Sequence, residues 1–268
     1  MFDFSVHPVA AADEDALFDL SRIDIAERLA AIERDMTAQD FDGGLVSFYD
    51  ANIFRRDADR DAVARAIGRG FFAAAYMPDL ADAETADGLE AAREAGCCAI
   101  VFHPYLQDIG PPQMETVARL CHEAQRLGMF VCVCAAYGGL KIYRIDPMHT
   151  VDCAARSTDM PVVVVHGGGR RVLDAMLIAD MHPHVMLETS YSLPYWLGSS
   201  VETDFAFAMK KIGPGRWLFG SDTPFMETAD VVRKHLNFFE RHGFNVGDID
   251  RIMGLNAKGL PGVCEKGV

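Results

Sequence analysis

Basic residues are scarce in this chain. Its 268 residues include 25 Lys and Arg against 39 Asp and Glu, a formal net charge of −14. So acidic a surface repels phosphate backbones, which sets nucleic acid aside as a partner. No CxxC pair occurs among the seven cysteines, and their number is odd. They fall in apolar runs (Cys132, Cys134) or in helical patterns (Cys121, Cys153), as buried thiols of a reducing compartment do. The opening residues, MFDFSVHPVA, carry no basic segment and no long apolar stretch. This predicts a cytoplasmic protein with neither a signal peptide nor a membrane partner. Internal repeats, low-complexity tracts and linkers are also missing, so one domain is expected over residues 1–268.

Half of the residues are hydrophobic and 24% are charged, enough apolar material for a sizeable core. Short apolar runs predict strands at Phe2–Val6, Leu45–Tyr49, Phe71–Tyr76, Ala99–Phe102, Phe130–Val133, Val162–Val165, Val185–Glu188 and Trp217–Phe219. Several are almost wholly apolar, as parallel strands covered on both faces are. Between them, Pro112 opens a helix in which Met114, Val117, Cys121, Ala124 and Leu127 recur at three and four, stopped by Gly128. Segments Asp61–Ile67, Ala83–Ala95, Pro147–Ala155, Arg171–Ala179, Val201–Lys211 and Thr228–Arg241 also read as helices. Residues 8 to 43 hold Leu17, Leu20, Ile25, Leu29 and Ile32 at helical spacing, a helical insertion after strand one that either covers the barrel mouth or packs on its side. Eight strands alternating with helices predict an α/β fold, a (β/α)8 TIM barrel. A doubly wound sheet is the alternative, but no GxGxxG follows the first strand.

Residues just past the C-terminal ends of barrel strands converge on one mouth. Here those ends are rich in ligand-capable groups: Ser5 and His7, His103, Cys134, His166 before Gly167–Gly169, Glu188 with Ser190, and Asp222 in Gly220-Ser221-Asp222-Thr223-Pro224. Two imidazoles and a carboxylate suit a zinc-type site with water as the open ligand. Any one of these has a plainer reading, His103 as a hydrogen-bonded structural residue or Cys134 as a small buried hydrophobe; joint placement makes the case. His182, His184, His235 and His242 lie in helical or pre-strand segments and are read as structural.

At these residues the sequence resembles the amidohydrolase-related family, the branch of aminocarboxymuconate-semialdehyde decarboxylase, aromatic-acid decarboxylases and pyrone-dicarboxylate lactonase. FDFSVH (2–7) is similar to the family's I-D-x-H-x-H, CAIVFHP (98–104) to its G-I-K-L-H-P, residues 129–138 to its P-V-x-I-H-x-G and PVVVVHGG (161–168) to its strand-six H-x-G-G. RWLFGSDTPF (216–225) resembles R-I-L-F-G-S-D-x-P-F, the most specific match, and Asn256 stands where the family has a closing G-N-A. Two usual metal ligands are replaced. The first His of the opening pair is Ser5 and the strand-five His is Cys134. The resemblance leaves a metal set of His7, Cys134, His166 and Asp222, and the sequence predicts weak or absent zinc because a hydroxyl is a poor ligand and thiolate a weaker partner for Lewis acidity.

The resemblance implies that Asp222 moves a proton as general acid or base and that His166 orients or polarises the reacting group. Arg144 and Lys141, after strand five, are candidates to grip a substrate carboxylate, with guanidinium the better clamp. His103, Tyr137 and Ser190 are further candidates for substrate contact, and Tyr191 and Trp196 for an aromatic wall. Three functions compete: a hydrolase of a small carboxylate-bearing lactone, ester or amide; a non-oxidative decarboxylase; and a barrel that has lost catalysis and serves as a binding subunit. A homodimer is expected from family habit and the general frequency of twofold assemblies.

Overall fold

The computed structural model describes residues 1–9, 18–80, 85–136 and 144–264. The apolar runs become eight strands: β1 (Phe2–Val6), β2 (Gly43–Phe48), β3 (Phe72–Tyr76), β4 (Ala99–Phe102), β5 (Phe130–Cys134), β6 (Val162–Val165), β7 (Val185–Glu188) and β8 (Trp217–Leu218). They pair in parallel and in chain order, β1 to β8. Just past β8, Phe4 N donates to Phe219 O at 2.9 Å and His7 N to Thr223 O at 2.9 Å, joining β8 back to β1 in a nearly closed barrel. The expected (β/α)8 architecture is therefore the observed one. Residues of alternating parity face two ways. Phe2, Phe4, Phe130, Cys132, Val163, Val165 and Leu218 fill the barrel interior, while Val131, Val133, Val162 and Val164 pack under the helices.

The helices are α1 (Ile25–Thr37), α2 (Asp57–Gly68), α3 (Thr85–Glu94), α4 (Met114–Arg126), α5 (Pro147–Ser157), α6 (Val172–Met181), α7 (Ser192–Trp196), α8 (Ser200–Ile212) and α9 (Thr228–Arg241). In α4, Val117, Leu120, Cys121 and Ala124 are buried on one stripe, and Gly128 adopts φ +68° beyond its end. Val117 and Leu120 each contribute about 1.5–3 kcal/mol when fully buried. The helix begins at Met114 because Pro111–Gln113 form a 3-10 turn first. Among the described residues no helix is long and apolar enough to cross a membrane.

Two differences from the sequence reading have clear causes. Strand β2 starts two residues early, at Gly43 and Gly44. Glycine reads poorly as strand, but a Cβ on Gly43 would lie 2.9 Å from the Phe2 ring. The segment after β1 is the ordinary first crossover helix. Its α1 is capped by Asp24, whose Oδ1 accepts from Glu27 N at 3.0 Å, and buries Ile25, Leu29 and Met36 beside α2. Residues 10–17, including Leu17, lie outside the described residues; Phe18 reaches the mouth.

Candidate active site

The site begins with a buried acid outside the cavity lining. Asp3, in the middle of the apolar FDFSV strand, is fully buried. Its carboxylate accepts from Ser5 N at 3.1 Å, Ser221 N at 2.8 Å and Ser221 Oγ at 2.5 Å. Burial raises its pKa to about 6 against those hydrogen bonds. The carboxylate fastens β1 to the loop after β8. A register shift between Asp3 and Val6 lets Val6 join the helix layer while Ser5 and His7 meet Asp222. Asp222 Oδ1 lies 3.1 Å from His7 Nε2 and accepts from Ser5 Oγ at 3.4 Å. Burial alone would raise the Asp222 pKa. The His7 hydrogen bond, the charge of His166 and the Ser5 hydroxyl outweigh it and hold the carboxyl below the usual range, so Asp222 is an anion at neutral pH. An ionised carboxylate only accepts, which puts the His7 proton on Nε2; the His7 Nδ1 is buried with no partner.

Across the mouth Cys134 lines the cavity together with His103 and His166. It follows Cys132 by two residues and so continues the interior face of β5. His103 Nδ1 accepts from Leu106 N at 3.3 Å, leaving its Nε2–H to donate. Burial works against a thiolate, but the two imidazoles reverse it and carry the Cys134 pKa well below the ordinary value. For His166, burial disfavours charge, yet Cys134, Asp222 and Glu188 push its pKa up to about 10.

His166 is held from behind. Its Nδ1 lies 2.9 Å from Ser190 Oγ and 3.1 Å from Ser190 O; a carbonyl only accepts, so Nδ1 carries a hydrogen. Ser190 Oγ in turn donates to Glu188 Oε2 at 2.7 Å, and His166 N donates to the same oxygen at 3.0 Å. Burial raises the Glu188 pKa to about 7, opposed by His166 and by these hydrogen bonds. Among the described residues five non-glycines have positive φ, and His166 (64°), Tyr191 (53°) and Asp222 (63°) are three of them. All three line the mouth cavity; strain of about 1–3 kcal/mol per residue is retained where the surroundings over-determine the backbone, as they do at active sites.

The cavity, about 260 Å³, is lined by His7, Phe18, Tyr49, His103, Tyr105, Cys134, Ala136, His166, Tyr191, Asp222 and Phe225. A larger one, about 580 Å³, shares Phe18 and Tyr49 but contains neither imidazole nor thiol. The structure thus gathers His7, His103, Cys134, His166 and Asp222. Ser190 stands behind His166 instead of in the cavity wall. Arg144 is exposed and outside the lining, and Trp196 packs half-buried against the helix layer. Tyr137 and Lys141 lie outside the described residues. Tyr49 and Tyr105 went unnoticed in the sequence, although both follow strand ends. The four histidines read as structural stay out of the mouth; His235, for example, is buried between Val231 O and Thr189 Oγ1, each 2.8 Å away.

The donor set does not suit a family-type metal. Ser5 offers a neutral hydroxyl already bonded to Asp222. His166 has its Nδ1 against Ser190, and Cys134, in place of a histidine, stands beside it in the cavity lining. Among the described residues no three His, Cys, Asp or Glu side chains are grouped to hold an ion. The chemistry of the site is therefore derived from its side chains alone.

A family model described as amidohydrolase matches residues 2–260. No curated protein matches the chain. Among solved structures, an uncharacterized TIM-barrel protein from Bordetella bronchiseptica shares 17% identity at TM-score 0.70, with 97% of each chain covered. A probable 2-pyrone-4,6-dicarboxylic acid hydrolase from Acinetobacter baumannii, with citric acid bound, shares 14% at 0.66, covering 97% of this chain and 98% of that one. A dihydroxybenzoic acid decarboxylase from Polaromonas, holding manganese, shares 14% at 0.57, with 96% of each covered. At such identities the likeness is one of fold.

Proposed function

This chain belongs to the amidohydrolase family, and on that premise we propose that it hydrolyses a small carboxylate-bearing lactone, ester or amide at the barrel mouth. The observation that carries this reading is the placing, around one small cavity, of a carboxylate and an imidazole that neighbouring side chains hold in position: Asp222 by His7 and Ser5, and His166 by Ser190. A carboxylate held anionic can take a proton from water, and an imidazolium can steady a developing oxyanion or protonate a leaving group. Positioned proton transfer of this kind contributes typically about 10²–10⁴-fold. Tyr49, Tyr105 and Phe225 supply an apolar rim for a planar acyl group. Arg144, with Tyr137 and Lys141 a few residues earlier in the sequence, is the proposed clamp for the substrate carboxylate, a role suited to guanidinium. The reading includes little or no zinc dependence, in keeping with Ser5 and Cys134 at the replaced ligand positions.

The test is a panel of small lactones, esters and amides of dicarboxylic acids beside hydroxybenzoic acids, assayed with the protein before and after exhaustive chelation. Acid release from the first group, surviving chelation, is the expected result. Carbon dioxide release from the second without any hydrolysis would overturn it.

A further inference from the structure

We propose that the outer face of α6 and α8 is the contact surface of a twofold homodimer, each helix packing antiparallel against its own copy. The proposal is independent of the hydrolase reading. Helices α6 and α8 lie side by side on the outside of the barrel. Among the described residues ten large hydrophobic side chains are exposed, and four of them sit on this face: Leu173, Leu177 and Met181 on α6, and Phe207 on α8. Leu177 and Phe207 are each 55% exposed and Met181 76%. Single exposed hydrophobics need no explanation, whereas a cluster of them marks an interaction surface. The three on α6 recur every four residues and so form one stripe. Helix α4 shows what an outward face of this barrel otherwise carries: Glu115, Arg119, His122, Gln125 and Arg126.

The occupant is a second copy because the charges on this face complement themselves. Phe207 has Asp204 three residues before it and Lys210 and Lys211 three and four after it, all on one side of the helix. Glu202 makes the ion pairs of α8, with Arg241 and His242; among the described residues Asp204, Lys210 and Lys211 make none. Lys210 only rests over the Phe244 ring, its Nζ 5.8 Å from the centroid.

Leu177 is the sixth residue of α6 and Phe207 the eighth of α8, so both lie near mid-helix. A twofold axis lying across the two helices at these residues reverses each partner helix. It stacks Phe207 on its own equivalent and sets Asp204 opposite Lys210 and Lys211 of the second copy, twice over. On α6 it brings Leu177 to its equivalent and Leu173 to Met181. Asp174 and Asp180, three residues either side of Leu177, meet there too, and Arg171, 2.5 Å from Asp174, offsets that acid. The net charge of −14 opposes association over the surface as a whole. This face instead balances Asp174, Asp180 and Asp204 against Arg171, Lys210 and Lys211. An apolar centre with a charged rim, made of one patch on both subunits, is the form a closed twofold contact takes.

The test is sedimentation velocity of the full chain from low to high micromolar concentration, with native circular dichroism confirmed for each variant. Wild type should show a monomer–dimer equilibrium. Phe207→Glu and Leu177→Glu should each raise the dissociation constant at least about tenfold. Asp204→Lys should weaken the dimer about tenfold by facing like charges. Combining Asp204→Lys with Lys210→Glu and Lys211→Glu should bring the constant back to within about threefold of wild type, because antiparallel pairing then restores every opposite-charge contact. A wild-type protein that stays monomeric at the highest concentration would overturn the proposal, as would a dimer indifferent to both glutamate substitutions. A combined variant as weak as Asp204→Lys alone would overturn the antiparallel pairing.

Discussion

At the scale of single residues, burial decides which groups hold their protons. His235 is fully buried, and desolvation depresses its pKa to about 4. A depressed folded-state value favours the neutral ring, so its stabilisation is complete above the ordinary value near 6.5 and is lost as pH falls towards 4. Asp3 (about 6) and Glu188 (about 7) have raised values and act oppositely, losing stabilisation as pH rises through those values. Comparison with a variant separates the terms. His235→Asn should be less stable than wild type at neutral pH by about 1–3 kcal/mol. The gap should narrow by about 1 kcal/mol per pH unit on acidification from about 6 to about 4.5. Urea denaturation across that interval checks it; a constant gap would show that His235 does not titrate as its burial requires. His7, Cys134, His166 and Asp222 were legible in the sequence because each directly follows or ends an apolar strand. The work of Asp3, Glu188 and Ser190 was not: besides neighbours two residues off, their partners lie 22 to 218 residues away, and only the closed barrel brings them together.

At the scale of elements, β4, β6 and β7 and helix α9 matched their expected bounds, because strand runs such as Val162–Val165 and the even spacing in Thr228–Arg241 leave one regular solution. The glycine-led start of β2 and the 3-10 turn before α4 escaped, since their causes are a neighbouring ring and a local proline geometry. The Gly167–Gly169 turn shows what such spots demand. Gly168 has φ +83°, and a Cβ there would lie 2.9 Å from Ala175 Cβ on α6. Alanine cannot swing aside, so Gly168→Ala should cost about 1–3 kcal/mol. It should also lower turnover by displacing His166, two residues earlier. Thermal unfolding with a steady-state assay tests this; an unshifted melting temperature would refute the packing argument.

At the scale of the whole molecule, the barrel followed from the count and order of eight apolar runs, and the mouth followed from the barrel. The substrate did not, because specificity depends on the loops at the mouth, and Tyr137 and Lys141 lie outside the described residues. What the architecture commits to is that a single mouth carries the chemistry, with Asp222 moving the proton. The direct measurement is kcat/KM for the best hydrolysed substrate with wild type and Asp222→Asn side by side, native folding of both confirmed by circular dichroism. Asparagine keeps the size of the side chain but removes the charge that accepts water's proton. A fall of about 10²–10⁴-fold is the predicted result. Equal rates in the two proteins would contradict it.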